Sequence, residues 1–150
     1  MGSEHAGQIR DLVSASREAL LALSDEHVDS SRGEGAWTRR QILGHLIDST
    51  AANHQRFVRA QYEDELRFPA YDAPGWVVTE RWDIASWRLL VEAWTSYALL
   101  LAHILDVMPQ AQLETPVWVD WYGEPTAIPL NAVAEAYVDH VRHHLAQLLG

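Results

Sequence analysis

Four long stretches of the chain repeat apolar residues at helical spacing, and this pattern constrains the fold more than any other feature. Apolar residues that recur every three or four positions form one stripe along a helix, and such stripes must be buried against one another. The stripes predict helices over about 6–23, 38–65, 83–108 and 130–149. Four segments of this length in 150 residues are typical of an all-α four-helix bundle.

Capping residues give the expected helix boundaries. Thr38 and Gln41 have the spacing of a capping box, so the second helix is expected to begin at Thr38 and to run to about Glu65. Asp83 is expected to be the N-cap of the third helix, which Pro109 ends.

Two connecting segments have their own patterns. Residues 66–82 contain Pro69, Pro74 and Gly75, which disfavour helix, so the sequence predicts an ordered crossover loop there. Residues 116–129 alternate apolar and other residues on either side of a glycine and a proline, which predicts a short hairpin before the last helix.

The composition limits the classes of function. The chain is 48% hydrophobic, which suits one globular domain over residues 1–150. Its formal net charge of −10 argues against nucleic acid or an anionic membrane surface as a partner. It has no cysteine and no lysine, so thiolate ligands, disulfides and Schiff-base chemistry are excluded. Any metal must therefore be bound by nitrogen or oxygen.

The expected compartment is the cytoplasm, and no membrane association is expected. Residues 1–5 show no basic start followed by an apolar run, and no uninterrupted apolar stretch approaches the ~18 residues needed to span a bilayer.

Two histidines of the last predicted helix have the spacing of metal ligands. At 100° per residue, His140 and His144 lie about 40° apart on one face, whereas His143 is directed away from the apolar stripe. An i, i+4 pair can aim two imidazoles at one ion. The chain has eight histidines, however, so such a pair also arises by chance, and a half-buried histidine usually hydrogen-bonds to its neighbours.

A third ligand has to come from another helix. His45 is the best candidate because it lies beside Ile42 and Leu46 in the middle of the second predicted helix. On the same helix, Asp48 is a candidate for orienting an imidazole through a hydrogen bond, in a wet internal pocket that also includes Ser49 and Arg56. Alternatively, Asp48 and Arg56 lie on a solvated edge of the bundle.

Several segments of the chain resemble the DinB/YfiT-like family. The resemblance rests on four segments, which are 37–38 (Trp-Thr), 44–49 (Gly-His-Leu-Ile-Asp-Ser), 53–61 and 140–147. It covers essentially the whole chain and implies a four-helix bundle. In that bundle one histidine of the second helix and a His-x-x-x-His pair of the last helix hold a divalent metal, which places the ligands at His45, His140 and His144.

The resemblance also implies a reaction class. Relatives include metal-dependent hydrolases and thiol-dependent S-transferases, so the expected partner is a small-molecule substrate or a low-molecular-weight thiol at the open, water-binding position of the metal. Imidazole ligands suit zinc and nickel first, with iron as a further choice. No carboxylate pair or serine motif marks a catalytic side chain, so the catalytic residues stay unassigned and any chemistry is expected from the metal and its water. The alternative is a non-catalytic metal-binding or stress-associated module. A homodimer is expected, because bundles of this family commonly pair.

Aromatic residues of the predicted loops leave three roles open. They can line a ligand pocket, cover the end of the bundle or form a dimer contact, and covering is slightly favoured. These residues are Tyr71, Trp76, Trp118, Trp121 and Tyr122.

Overall fold

The structure is a computed structural model that describes residues 2–150. Its helices are α1 (Gly2–Leu21), α2 (Asp25–Val28), α3 (Arg39–Arg59), α4 (Ala73–Glu80), α5 (Trp87–Val107) and α6 (Leu130–Leu149). Its strands are β1 (Leu66–Arg67), β2 (Pro116–Val119) and β3 (Thr126–Pro129). Short 3₁₀ turns lie at Trp82–Ile84 and Gln110–Glu114.

The four long helices form the predicted bundle. α1 packs against α5 and α6, and α3 packs against the same two helices, which places α1 and α3 on opposite sides of the bundle. The four apolar stripes meet in one core, whose largest fully buried side chains include Trp94, Tyr137 and Phe57. The direct packing of α3 on α6 matters for function, because it brings the two histidine-bearing helices together.

The start of α3 is the predicted capping box. The Thr38 hydroxyl accepts a hydrogen bond from the Gln41 backbone N–H at 3.2 Å, and the Gln41 side chain accepts one from the Thr38 N–H at 2.9 Å. The predicted end at Glu65 is wrong, since α3 ends at Arg59. Three acidic residues follow at 63–65, and negative charge opposes the helix dipole at a C-terminus.

The segment 66–82 is more ordered than predicted, because it contains β1 and α4. Pro74 lies in the first turn of α4, where a proline needs no backbone donor and does not disturb the helix. The Asp72 side chain caps this helix by accepting a hydrogen bond from the Gly75 N–H at 3.2 Å. The proline and glycine that were taken as evidence against helix therefore belong to a helix start.

The N-cap predicted for the third helix is also wrong. The cap of α5 is Ser86, whose hydroxyl accepts a hydrogen bond from the Leu89 N–H. Asp83 lies in the preceding 3₁₀ turn and forms an ion pair with Arg81.

The predicted hairpin is present and belongs to a three-stranded sheet. β2 and β3 pair antiparallel, with Val117 opposite Ile128, and β1 adds parallel to β2. The added strand and the buried side chains of Val117 and Val119 stabilise a hairpin that would be marginal alone. β3 leads directly into α6, so the sheet lies at the start of that helix.

Of the residues described, one helix is long and apolar enough to cross a membrane, and it is α5. Core helices of bundles have the same composition when they are buried on several sides. α5 packs against both α1 and α3, which accounts for its apolar residues within this fold.

Candidate metal centre

Three histidines from two neighbouring helices converge in the structure. His45 comes from the middle of α3, and His140 and His144 lie one turn apart on α6. His45 and His144 expose only 7% and 9% of their surface, and His140 is partly buried. The structure therefore brings together the three residues that the sequence and the family resemblance selected as candidate ligands.

The three rings present the same nitrogen to one another. Nε2 of His140 lies 3.1 Å from Nε2 of His45 and 3.0 Å from Nε2 of His144. One ligand atom from each residue lies within 4.8 Å of the others. Two Zn–N bonds of 2.0–2.1 Å at a tetrahedral angle separate their nitrogens by about 3.3 Å, so the observed spacing is close to that of ligands around one ion.

Hydrogen bonds at the outer nitrogens hold two of the rings. Nδ1 of His144 lies 2.7 Å from Oε1 of Gln147, an oxygen that can only accept, so this nitrogen carries the proton and leaves the Nε2 lone pair free. Nδ1 of His140 lies 3.2 Å from the Ser49 hydroxyl, which can accept in the same way. Such partners fix the tautomer and orientation of metal-binding histidines.

His45 is held by packing instead. Its Nδ1 is buried and has no hydrogen-bond partner within residues 2–150. The Trp37 ring lies against it, with centroids 5.0 Å apart. Nε2 of His45 faces the other two imidazoles, so this is the nitrogen that would bind an ion, with the proton on the buried Nδ1.

The cluster is uncharged near neutral pH. Burial, together with the charge that His144 would carry, lowers the pKa of His45 to about 4. Burial and the neighbouring histidines lower the pKa of His140 to about 3. Burial also lowers the pKa of His144. Three neutral imidazoles with free Nε2 lone pairs fit a divalent transition metal, for which nitrogen donors are suited.

The remaining histidines have other surroundings. His143 is exposed, as its position on α6 predicts, and its Nε2 lies 3.3 Å from the Gln147 amide nitrogen. His5 hydrogen-bonds to Asn131, and His54 hydrogen-bonds to the Tyr97 hydroxyl. None of these three belongs to the cluster.

Asp48 does not have the role that the sequence suggested. Its carboxylate is buried, with 2% of the residue exposed, and it accepts a hydrogen bond from the Trp82 indole at 3.1 Å. Burial raises its pKa, and burial together with the nearby Asp48 raises the pKa of Glu80 to about 7. Within residues 2–150, the hydrogen bonds to the cluster come from Ser49 and Gln147 instead.

A glycine beside His45 lets the Trp82 ring approach α3. A Cβ atom at Gly44 would overlap the Trp82 indole. The same indole reaches Asp48 one turn further along α3. The Gly44–Trp82 contact therefore ties the turn before α5 to the helix segment that carries His45.

A cavity of about 360 Å³ adjoins the cluster, and His140 forms part of its wall. α3 contributes Ser49, Asn53 and Arg56, and α6 contributes apolar residues and Tyr137. The volume is at the lower end of the usual range for small-molecule sites. A ligand in this cavity would lie directly beside the candidate metal ligands.

The loop aromatics divide between two roles. Tyr71 and Trp121 line this cavity, so they lie where a ligand would contact them rather than only covering the bundle. Trp76 packs against Tyr71, with ring centroids 4.9 Å apart. Trp118 hydrogen-bonds to Glu65 outside the cavity, and Tyr122 is exposed.

Sequence reasoning placed Ser49 in the internal pocket but assigned the orientation of an imidazole to Asp48, and it missed Gln147. Ser49 follows His45 by four positions, so it lies on the same face of α3, and Gln147 follows His144 by three. Residues at i, i+3 and i, i+4 are neighbours on a helix surface, so these spacings could have identified both residues as neighbours of candidate ligands. What the sequence did not contain was the pairing of Ser49 with His140 across the two helices.

The fold and the cluster define a four-helix-bundle protein with three converging histidines that could hold a metal ion. Residues 8–148 match the DinB superfamily, so the chain belongs to that family.

Relatives over nearly the full chain carry the name "Putative metal-dependent hydrolase". The one from Geobacillus thermodenitrificans is 27% identical, and the alignment covers 98% of this chain and 82% of that protein. The one from Geobacillus kaustophilus is 29% identical, with coverages of 97% and 80%. YfiT from Bacillus subtilis is 26% identical, with coverages of 88% and 73%.

The solved structure of Bacillus subtilis YfiT has the same fold. It superposes with a TM-score of 0.87 at 20% identity, over 98% of this chain and 83% of that one. Its description is "a probable metal-dependent hydrolase with an unusual four-helix bundle topology". The expected DinB/YfiT-like fold is confirmed.

Proposed function

We propose that this protein is a metal-dependent hydrolase that holds one divalent ion on His45, His140 and His144 and acts on a small molecule in the adjoining cavity. The observation that carries the proposal is the convergence of three uncharged imidazoles, one of which, His140, lines that cavity. The names of its relatives support the same class of reaction.

A four-coordinate ion held by three histidines would keep one position for water, and zinc in such a site would lower the pKa of that water to about 7 and so supply a nucleophile for hydrolysis. The chain's own residues do the positioning. Ser49 and Gln147 hold two imidazoles through their outer nitrogens. His140 lines the cavity, so a substrate there would lie beside one of the three residues that would hold the ion. Tyr137 and Val133, both buried, contribute to the wall against which a substrate would pack.

Zinc is the first candidate for the ion, with nickel second and iron third. A donor set of three imidazoles suits each of them, so the geometry of the residues alone does not select one. The test is the metal content of protein that has been purified without an affinity column carrying a metal.

A thiol S-transferase is the second candidate function. Three neutral ligands leave the full positive charge of the ion uncompensated, and the cavity adds the cationic side chain of Arg56. Both charges favour a thiolate at the open position of the metal. In that reaction the thiolate sulfur forms a bond to an electrophilic carbon, and the leaving group departs with the bonding electrons.

Two reactions compared on the same preparations test these functions. Metal-free protein is reloaded with zinc or nickel, then assayed for hydrolysis of 4-nitrophenyl acetate and for transfer of 2-mercaptoethanol to 1-chloro-2,4-dinitrobenzene. The hydrolase proposal predicts metal-dependent ester hydrolysis that is lost in His45→Ala and retained in His143→Ala. Metal-dependent thiol transfer without hydrolysis would favour the second function. Metal binding without either reaction would contradict both and favour a non-catalytic module.

A further inference from the structure

An arginine without a partner forms part of the inner wall of the cavity beside His140. Arg56 lies on α3, about two turns beyond Ser49 and on the same side of that helix. Only 8% of the residue is exposed. It is the one cationic side chain among the residues that line this cavity.

No ion pair formed within residues 2–150 involves the Arg56 guanidinium. The Phe68 ring lies 5.3 Å from the guanidinium carbon and covers one face. Asp120 also lines the cavity, at a distance too long for an ion pair. A buried charge without hydrogen-bonded compensation is costly, so an unpaired arginine aimed into a cavity points to a ligand that supplies the missing negative group.

The charges around the cavity limit which negative group its ligand can carry. In the metal-free protein a single cationic side chain faces the cavity, Asp120 contributes negative charge nearby, and the whole chain has a formal charge of −10. A doubly charged phosphate would be repelled more than a singly charged carboxylate. The planar fork of a guanidinium matches the two oxygens of a carboxylate.

The other walls favour an apolar body for the ligand. Val133, Ala136 and the rings of Tyr137 and Trp121 surround the space between Arg56 and His140. A molecule that fits these walls has an apolar middle, one carboxylate and little else that is charged.

We propose that the cavity is a subsite for a small organic carboxylate, with Arg56 binding the carboxylate and the apolar walls holding the rest of the molecule beside His140. Arg56 is a specificity-determining residue in this proposal. That the opposite end of the ligand reacts at the metal rests on the proposed function, whereas recognition of the carboxylate by Arg56 does not.

The first test needs no variant and no metal. Metal-free full-length protein is titrated with benzoate, benzamide and phenyl phosphate, followed by the nitrogen resonances of arginine side chains and by tryptophan fluorescence. Benzoate should bind at least about tenfold more tightly than benzamide, because a charge-assisted hydrogen bond is lost with the neutral amide. It should also bind more tightly than phenyl phosphate. Equal binding of benzoate and benzamide would overturn the proposal, and a preference for phenyl phosphate would overturn the choice of a carboxylate.

Three variants assign the effect to Arg56. Arg56→Gln should weaken benzoate binding about tenfold or more and leave benzamide binding unchanged. Arg56→Lys keeps the positive charge but loses the planar guanidinium fork, so its affinity for benzoate should lie between those of the wild type and Arg56→Gln. Arg59→Gln is the matched control, since Arg59 is an exposed neighbour on α3 that also lies near Phe68, at 5.5 Å. If Arg59→Gln weakens benzoate as much as Arg56→Gln does, the effect is general electrostatics and the subsite is not at Arg56.

Metal content separates this proposal from the proposed function. Arg56→Gln should keep its zinc and lose benzoate selectivity, whereas His45→Ala should lose its zinc and keep benzoate selectivity in the metal-free state. Loss of zinc in Arg56→Gln with native circular dichroism would overturn the view that Arg56 acts on the substrate alone. If the protein binds benzoate selectively but binds no metal, the result would support the carboxylate subsite and contradict the proposed hydrolase function.

Discussion

The Ser49 hydroxyl on α3 lies 3.2 Å from Nδ1 of His140 on α6, although the two residues are 91 positions apart in the chain. Through this contact, the helix that carries the candidate ligand His45 also orients the candidate ligand His140. The contact connects the packing of α3 on α6 directly to the geometry of the site.

Removal of this hydroxyl should weaken metal binding without abolishing it. Partners of metal-binding histidines usually change affinity by about 10- to 100-fold, so Ser49→Ala and Gln147→Ala should each fall in that range. The measurement is a competition titration of zinc against a chelator of known affinity. Ser96→Ala, an exposed change on α5, is the control. Affinities equal to that of the control would show that the outer hydrogen bonds do not support the site.

His45 and His140 should each contribute stability to the metal-free protein that rises with pH between about 4 and 6.5. The pKa values of His45 and His140 fall from 6.5 to about 4 and about 3 in the folded protein. At these two histidines the unfolded chain therefore binds more protons in this window and is favoured as the pH falls. Asp48 and Glu80, whose pKa values are raised, act in the opposite direction, so the contribution of His45 is the difference in slope between the wild type and His45→Ala. Urea unfolding at pH 4.5, 5.5 and 7 measures the slope, and His45→Ala should reduce it. A slope that is unchanged in this variant would mean that His45 is not held neutral by the fold.

Gly44→Ala should destabilise the protein by about 1–3 kcal/mol, because the new methyl group overlaps the Trp82 indole and forces it away from Asp48. Gly7→Ala is the matched control, since a Cβ atom there meets nothing within 4 Å and lies inside α1. That change should stabilise the helix by about 0.5–1 kcal/mol. Denaturant unfolding monitored by tryptophan fluorescence compares the two, and equal effects would contradict the packing role of Gly44.

We expect the protein to form a homodimer through the outer face of α5. Leu89, Leu100 and Val107 are exposed and follow one another along this helix at spacings of 11 and 7 residues, which place them on one side. Sedimentation should show a dimer at micromolar concentration and a folded monomer for Leu100→Glu. A wild-type monomer throughout that range would contradict the expectation.

Much of the candidate site could be predicted from the sequence because its key relationships are local. The i, i+4 spacing of His140 and His144 is a property of one helix, and so is the capping box at Thr38. His45 was the best candidate for the third ligand because it lies beside Ile42 and Leu46. Its match to this pair was supported by the family resemblance, since nothing in a separation of 95 residues reveals which helices pack together.

The rest of the site and of the fold could not be predicted because it depends on tertiary structure. The burial of Arg56 cannot be derived from α3, because the cavity around it is closed by Tyr71 from one connecting segment and by Asp120 and Trp121 from another. The partner of Asp48 is Trp82, which precedes α5. α4 was missed because Pro74 was weighed as a helix breaker, whereas its position in the first turn makes it compatible with a helix start.

The metal content of four histidine variants tests the central claim most directly. His45→Ala, His140→Ala, His144→Ala and His143→Ala are reconstituted with zinc, dialysed and analysed for bound metal, with folding checked by circular dichroism. The first three should lose tight binding, because each removes one of three converging Nε2 donors, and His143→Ala should keep near-normal content, because His143 is exposed outside the cluster. Retention of metal in all four variants, or its loss in His143→Ala alone, would contradict the assignment of the ion to His45, His140 and His144.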